Sequence, residues 1–247
     1  MKQNYNTNCS LVRVPIVAGV SDYYLPQNVD WASEKVDRIV ICAPQNECID
    51  PLDGVTPVVT NPIQNCFFSL YNSENKEIYH DVSVEQLLYT NNNGLDVDAV
   101  LNISLCRFYF TQTPTEDAIL LVYVFYKTRV EEYAELPSHS VTVTFPLAAN
   151  ELKSFRDIIN YYMHAIPQRV KGIICWNAEE YPAWITLRDF NLTYQMANIH
   201  SAMMRSPMNA GEQYYTFMLN DLDIDFDYSN IREAAGIESI QKITFLY

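Results

Sequence analysis

The chain has 247 residues, of which 49% are hydrophobic and only 19% are charged, so it can bury a large core and is not a disordered polypeptide. Its 30 acidic and 16 basic side chains give a net charge of −14. This charge disfavours sequence-specific nucleic-acid binding and docking to an anionic membrane, because phosphate groups are repelled. It suits a basic protein partner, bound cations or simple solubility.

The cysteines have the spacing of neither a redox motif nor a zinc site, since no C-x-x-C pair and no Cys/His cluster occurs. The N-terminal segment is polar and lacks a signal-peptide pattern, and no apolar run approaches the roughly 20 residues that span a bilayer. We therefore expect a soluble protein that is made in a reducing cytoplasm with free, buried thiols. The cysteines are Cys9, Cys42, Cys48, Cys66, Cys106 and Cys175.

Apolar, strand-like segments separated by turn signals fill the first part of the chain. The turn signals include Asn72–Lys76 and Asn93-Gly94, where asparagine and glycine tolerate a positive φ. Ala118–Tyr126 is apolar on both faces, which is typical of a central buried strand. The segments are Leu11–Val20, Arg38–Ala43, Cys66–Tyr71, Glu77–Tyr79, Asp96–Phe110, Ala118–Tyr126 and Ser140–Phe145.

The segment Asn150–Ile166 has hydrophobic residues at steps of three and four, which predicts an amphipathic helix. Asn150 can cap its start, and Pro167 ends it. Shorter helical turns are predicted after Ser83 and after Asn230. The helix face that we expect to lie on the core is formed by Leu152, Phe155, Ile159 and Tyr162.

Strand-like composition returns in Val170–Trp176, Ala183–Tyr194 and Ile240–Tyr247. Strands at roughly ten-residue spacing favour a β-sandwich or jelly roll over a βαβ fold. The predicted fold class is mainly β, with sandwich-like or jelly-roll-like antiparallel sheets, one amphipathic helix and short helical insertions. We expect a single β-rich domain over residues 1–247, with a sub-domain boundary near 146–150 as the alternative. The sequence contains no internal repeat.

A row of aspartates near the C-terminus is the most informative pattern in the chain. In a strand, the alternation places these carboxylates on one face and Leu222, Ile224 and Phe226 on the other. Like charges in a row repel one another, so this face is expected to meet water, a cation or a basic partner. We predict that the row is exposed and forms an interface. The aspartates are Asp221, Asp223, Asp225 and Asp227.

Two alternatives for the aspartate row are a calcium site and a solvated face that prevents aggregation. A straight strand spreads its carboxylates too far apart for one Ca²⁺ ion, so calcium would need further ligands, such as Asp96 and Asp98. We predict no metal and no cofactor.

No catalytic signature is present, since the chain lacks a glycine-rich phosphate loop and an H-E-x-x-H motif. Cys106 and His139 would form a nucleophilic pair only if the fold brought them together. Trp176, Tyr181 and Trp184 could line a platform for a carbohydrate or receptor, or a cleft in which acidic residues hydrolyse a glycoside. An aromatic core explains the same three residues, and we predict that the protein is not an enzyme.

Cys66–Tyr71 with its polar hairpin, Ala118–Tyr126 and Val141–Phe145 carry a resemblance to virion structural proteins of tailed bacteriophages, in particular crAss-like phages. Those proteins are often rich in Asn, Tyr and Asp, poor in glycine and built from antiparallel sandwiches. The resemblance lies in composition and strand pattern, so no functional residues carry over. It implies a capsid, neck or tail subunit that acts through protein contacts.

The expected function is therefore that of a virion structural or assembly protein, such as a neck or tail ring, a collar or an auxiliary capsid subunit. Its expected partners are other virion proteins and further copies of itself, in a homo-oligomeric ring or a capsid, and it would be located in the virion after assembly in the host cytoplasm. The alternatives are a carbohydrate- or receptor-binding β-sandwich module and an acidic-residue hydrolase.

Overall fold

The computed structural model describes residues 5–27, 29–44, 47–88, 94–129, 139–154, 157–158, 169–170, 172–176, 180–188, 194–204, 217–218, 223–228, 231 and 238–246. The chain divides into two compact units. We call Cys9–Lys127 the N-terminal unit, and Met1–Asn8 together with Thr128–Tyr247 the C-terminal unit.

The described strands of the N-terminal unit form two four-stranded sheets, with the orders β1-β8-β3-β6 and β2-β7-β4-β5. The pairings between these strands whose register is described are antiparallel. This order, in which the first strand lies beside the last and the second beside the last but one, is that of a jelly roll. The strands are β1 (Tyr5–Ile16), β2 (Asp22–Tyr24), β3 (Val36–Cys42), β4 (Cys66–Tyr71), β5 (Glu77–Ser83), β6 (Leu95–Ala99), β7 (Arg107–Phe110) and β8 (Ala118–Arg129).

The two sheets of the N-terminal unit pack around one hydrophobic core. Ile39 and Val122 from the first sheet belong to the same buried cluster as Phe68 and Phe108 from the second. The two phenylalanine rings stack with their centroids 4.4 Å apart. Residues Leu120–Val124 of β8 are fully buried in succession, which confirms the predicted central strand. In the sheet β2-β7-β4-β5, alternation places the other side chains of β7, such as Arg107 and Tyr109, on the face away from this core.

The described strands of the C-terminal unit form sheets with the orders β12-β17-β9, β11-β15 and β10-β16-β13-β14. Phe145 on β9 and Phe226 on β16 meet edge to face, with centroids 5.2 Å apart, so the larger two of these sheets share a core. The strands are β9 (Ser140–Leu147), β10 (Leu152–Ser154), β11 (Arg169–Val170), β12 (Gly172–Cys175), β13 (Trp184–Arg188), β14 (Tyr194–His200), β15 (Phe217–Met218), β16 (Asp223–Asp227) and β17 (Ser239–Leu246).

The C-terminal unit repeats the strand order of the N-terminal unit. When β11 and β12 are counted as one strand, the sheets β10-β16-β13-β14 and β2-β7-β4-β5 each join the second, seventh, fourth and fifth strands of their unit in that order. β11 and β12 are separated in sequence only by Lys171. Together they take the place of β3, because β15 pairs with β11 and β17 with β12, as β6 and β8 pair with β3. The chain therefore contains two consecutive jelly rolls, although its sequence has no internal repeat.

The structure corrects the helix predicted over Asn150–Ile166. Leu152–Ser154 is strand β10, paired with β16, and Leu152 is 60% exposed instead of facing the core. Asp157 and Ile158 are helical, and Ile158 is buried. Pairing with β16 satisfies the backbone of β10 and overrides the weak local preference for a helix. The rest of the predicted helix, 155–156 and 159–166, lies outside the described residues, and the described part of the chain holds no helix of seven or more residues.

A second correction concerns the strand predicted over Asp96–Phe110, which is in fact the two strands β6 and β7. Between them the chain turns, with hydrogen bonds from Leu105 N to Asn102 O (3.1 Å) and from Cys106 N to Ile103 O (3.3 Å). Alternating hydrophobic residues can belong to a turn when some of them pack inward, as the buried Ile103 does.

Several shorter predictions are confirmed. Val84–Leu87 forms a 3-10 turn, whose start is capped by the Ser83 side chain. All six cysteines are free and buried.

The units divide at residues 127 and 128, away from the suggested boundary at 146–150, and the number of independently folding domains stays a prediction. Across the described residues, no helix has the length and apolar character needed to cross a membrane.

Candidate functional site

The aspartate row lies on β16, the strand between β10 and β13 in the C-terminal unit. Phe226 is fully buried and packs on Phe145 of the other sheet, so it points into the core. Asp225 and Asp227, its neighbours on either side, are half-buried and lie on the opposite face, as the alternation predicted. Asp221 lies outside the described residues, and Asp223 is described through its backbone register with Arg188.

An arginine of the same chain supplies the cation that the aspartate row was expected to meet. Arg188 on β13 forms an ion pair with Asp225, and their side chains are 25% and 18% exposed. Beside this pair, Asn198 N donates a hydrogen bond to Thr186 Oγ1 at 3.1 Å. Around Arg188 and Asp225, the outward face of this sheet is therefore polar and partly shielded from water, and the arginine neutralises part of its charge. At the other end of the strand, Trp184 is in register with Asp227 and is buried.

The calcium alternative finds no support in the residues that were proposed for it. Asp96 pairs with Arg38 at 2.7 Å, and Asp98 pairs with Lys35 at 2.6 Å, both within the N-terminal unit. Where the structure describes the chain, no group of three or more His, Cys, Asp or Glu side chains is placed to hold a metal ion.

The three aromatic residues proposed as a platform do not form one exposed surface. Trp184 on β13 is fully buried, with its ring edge against His200 at 5.2 Å between centroids. Trp176 follows β12 in another sheet, is 49% exposed and donates from Nε1 to Thr244 Oγ1 at 2.6 Å. Tyr181 is half-buried, and its carbonyl accepts a hydrogen bond from Gln241. The sequence could not separate these environments, because tryptophan suits both a core and a binding surface.

Cys106 does not have the properties of a nucleophile. Its thiol is fully buried and donates a hydrogen bond to Asn102 O at 3.2 Å. Burial raises the pKa of this thiol to about 11. A reactive cysteine needs a lowered pKa so that the thiolate forms near neutral pH, and the environment of Cys106 acts in the opposite direction.

The N-terminal unit carries an aromatic and charged surface that the sequence interpretation missed. It lies on the outward face of β2-β7-β4-β5, where Tyr109 stacks on Phe67 with centroids 5.4 Å apart. The Arg107 guanidinium lies over the Tyr109 ring at 5.4 Å and pairs with Asp22 at 3.4 Å. Exposed Tyr24 is in register with Arg107 at the edge of the sheet. The alternation of Arg107 and Tyr109 with Phe108 and Phe110 was the available signal.

A hydrogen-bonded row on β4 and β5 continues this surface. The Tyr71 hydroxyl donates to Glu77 Oε1 at 2.8 Å, and His80 Nδ1 lies 2.7 Å from the same oxygen. His80 Nε2 lies 3.3 Å from Asp81. The bond to Glu77, helped by the charge of Asp81, raises the pKa of His80 above its usual value, and the same bond lowers the pKa of Glu77. We call this face, with Phe67, Tyr71, Glu77, His80, Arg107 and Tyr109, the aromatic face.

Comparison with known proteins gives little guidance. No protein-family model matches the chain, and no curated protein matches it. A solved structure that matches is the crystal structure of the major capsid protein P2 from bacteriophage PM2, with 10% sequence identity, 96% of each chain covered and a TM-score of 0.26. A likeness at this score decides neither fold nor function, so the strand order and the surfaces described above must carry the functional inference.

Proposed function

We propose that this protein is a structural subunit of a virus particle that acts through protein–protein contacts and has no catalytic activity. The observation that carries the proposal is the presence of two consecutive jelly rolls in one chain. Jelly rolls recur in viral capsid proteins, and also in lectins and cupins. Because one fold serves several functions, the surfaces must help to choose among them.

The surfaces favour an assembly role over the other jelly-roll functions. Aromatic side chains and arginine are enriched in protein interfaces, and both occur on the aromatic face. Asp225, which a hydrolase could have used as an acid or base, is held by Arg188. The net charge of −14 keeps the protein from adhering to nucleic acid while it assembles around or beside it.

Within this proposal, the most specific role is that of a capsid or capsid-associated subunit whose neighbours are other virion proteins and further copies of the same chain. A neck or tail ring, a collar and membership of the crAss-like phages remain narrower forms of the same hypothesis. All of them place the protein in the virion after assembly in the host cytoplasm.

The test is electron microscopy and light scattering of the purified full-length chain over a range of concentrations. We expect closed rings, sheets or shells whose mass is a multiple of the 28.5 kDa chain. Antibodies against the chain should also label particles purified from its source. A chain that is absent from those particles would refute the proposal.

A carbohydrate- or receptor-binding role is the second candidate, because stacked rings beside polar groups on the aromatic face also suit sugar recognition. Glycan-array binding that is lost in Tyr109→Ala and retained in Trp176→Ala would support this role. Trp176 provides the matched control because it is a half-exposed aromatic residue of the C-terminal unit.

A further inference from the structure

The edge strands β5 and β14 share an irregularity in their pairing with the neighbouring strand. In β5, two residues lie opposite Ser69 of β4, and one of them, Asp81, has a positive φ of +48°. In β14, two residues lie opposite Thr186 of β13, and one of them, Asn198, has a φ of +50°. An extra residue in one strand of a pair is a β-bulge, which bends the strand and increases its twist. Both edge strands are therefore bent instead of straight.

A hydroxyl group on the neighbouring strand anchors each bulge. Ser69 Oγ donates to Asp81 Oδ1 at 3.0 Å and accepts a hydrogen bond from Asp81 N at 3.2 Å. Thr186 Oγ1 donates to Asn198 Oδ1 at 3.3 Å and accepts from Asn198 N at 3.1 Å. The hydroxyl thus gives the N–H group of the bulge a partner outside the ladder. Aspartate and asparagine suit the position, because they adopt a positive φ more readily than other residues with a side chain.

The two bulges occupy equivalent positions in the two jelly rolls. Both hydroxyl-anchored pairs are separated by 12 residues along the chain, and the registers of β4 with β5 and of β13 with β14 match pair for pair. A 3-10 turn follows directly in both units, Val84–Leu87 and Ser201–Met204. The residue before the bulge differs, since it is His80 in β5 and Ala197 in β14. The hydroxyl and the Asp or Asn side chain thus recur, whereas their neighbour does not.

The bulges lie on the long edges of their sheets. Among the described strands, β5 and β14 end the orders β2-β7-β4-β5 and β10-β16-β13-β14, and each has seven residues. The strands at the opposite ends, β2 and β10, have three residues each and pair without a register shift. A long, regular edge offers a row of backbone N–H and C=O groups to another strand, whereas a very short edge offers few. In these two sheets, the bulge is therefore present on the edges that another strand can join.

We propose that the hydroxyl-anchored bulge prevents β5 and β14 from pairing with a strand of another chain. The bend interrupts the straight row of backbone groups that an incoming strand would need. On β5, charge assists, because Glu77 and His80 are exposed. The sequence of β14 contains no Asp, Glu, Lys or Arg, so the bulge protects this strand without help from charge. The inference is independent of the assembly function proposed above, because a sheet edge is open to pairing whatever the protein does.

The test is made at β14, where charge does not contribute. The double variant Thr186→Val, Asn198→Val removes the anchoring hydroxyl and introduces a β-branched side chain that resists a positive φ and favours an extended strand. The matched control is Thr186→Ser, Asn198→Asp, which installs the pair found on β4 and β5. Thioflavin T fluorescence of the full chain reports strand-to-strand stacking, light scattering reports association of any kind, and near-ultraviolet circular dichroism verifies folding.

We expect a several-fold rise in thioflavin T fluorescence over the wild type for the double variant and no rise for the control. Ala197→Lys, added to the double variant, should return the signal to the wild-type level, because a charge on an edge strand opposes pairing without restoring the bulge. A folded double variant whose fluorescence equals that of the wild type would overturn the proposal. Fluorescence that Ala197→Lys leaves unchanged would also overturn it, since the association would not involve this edge.

If the double variant at β14 does not fold, Ser69→Ala, Asp81→Val makes the same comparison at β5, with Ser69→Thr, Asp81→Asn as its control. A smaller rise is expected there, because Glu77 and His80 remain on the edge, and no rise in a folded variant would overturn the proposal. If this variant does not fold either, the bulge is required for folding, and edge protection is overturned as its role. The structural-subunit proposal is unaffected by these results, because it depends on whether antibodies against the chain label particles from its source.

Discussion

The sheets β2-β7-β4-β5 and β10-β16-β13-β14 have the same strand order and differ most on their outward faces. In both, the strand next to the edge has a fully buried phenylalanine, Phe108 on β7 and Phe226 on β16. On the outward face, β7 carries Arg107 and Tyr109, whereas β16 carries Asp225 and Asp227. The inward residues are thus equivalent in position and chemistry, while the outward residues have opposite charge at the centre of the sheet.

This difference indicates which residues specify the fold and which are available for function. Burial of alternate apolar residues is sufficient to order the strands in both units, so the outward positions can vary without changing the topology. The aromatic face of the N-terminal unit has the composition of a contact surface. In the C-terminal unit, Asp225 of the aspartate row pairs with Arg188 of the same sheet. We therefore expect substitutions on the two faces to have different consequences.

The largest effect is expected for Gly94→Ala, at the start of β6. A Cβ atom at Gly94 would lie 2.3 Å from Ile39 O and 2.7 Å from a Val40 methyl group, and φ is +92°. The backbone of β3 cannot yield to this overlap without losing its pairing with β6, so we expect a loss of more than about 3 kcal/mol of unfolding free energy.

Gly19→Ala provides the matched control in urea unfolding. Gly19 also has a positive φ, +82°, but a Cβ atom there would meet nothing within 4 Å. Backbone strain alone should cost about 1 kcal/mol. Equal losses in the two variants would show that the close approach of β6 to β3 does not restrict residue 94.

The next loss of stability is expected for two substitutions that compare the inward faces of the corresponding sheets. Phe108→Ala and Phe226→Ala each remove a fully buried ring from the corresponding strand of a jelly roll. Each should cost about 3–5 kcal/mol, because both the transfer of the ring and the remaining cavity contribute. Chemical denaturation followed by circular dichroism measures both losses, and a cost below about 1 kcal/mol for either variant would break the equivalence of the two strands.

His200 and His80 should contribute to the free energy of unfolding with opposite pH dependence. Burial lowers the pKa of His200 to about 4, so between about 6.5 and 4 the unfolded chain takes up a proton that the folded chain does not. Stability should therefore fall by about 3 kcal/mol as the pH falls through this window. The pKa of His80 is raised, so its smaller contribution is present below about 6.5 and is lost as the pH rises through the folded pKa.

NMR titration of the two imidazoles and unfolding of His200→Gln and His80→Asn across this range measure these contributions. The difference between wild type and variant isolates each histidine from the carboxylates that titrate below about pH 5. A His200 resonance that titrates near 6.5 would contradict its burial beside Trp184.

The smallest loss of stability is expected for single substitutions in the aspartate row. Asp225→Asn removes the charge that faces Arg188, and both side chains are largely shielded from water. We expect a loss of about 1–3 kcal/mol, because the charged pair is replaced by a neutral amide facing a largely shielded guanidinium. Repulsion along the row, inferred from the sequence, instead predicts that the double variant Asp223→Asn, Asp225→Asn keeps its stability or gains slightly. Asp227→Asn serves as the control, and thermal unfolding measures the loss of stability in both variants. If Asp225→Asn loses no more stability than Asp227→Asn, the pair with Arg188 makes no specific contribution.

The sequence predicted the β-rich fold and the alternation on β16, because a period of two is a local property. It did not predict that Leu152 pairs with β16, because pairing is decided by residues far away in the chain. The same limit applies to Arg188 and Asp225, which are 37 residues apart. The second jelly roll is not visible as an internal repeat of the sequence, because many different combinations of apolar residues satisfy the same inward alternation.

The most direct test of the account is the copy number of this chain in purified virus particles, measured by quantitative mass spectrometry against the other particle proteins. A structural subunit built from two jelly rolls should be present in many copies, in a fixed ratio set by the symmetry of the particle. Absence of the chain from particles in which other structural proteins are detected would contradict the account.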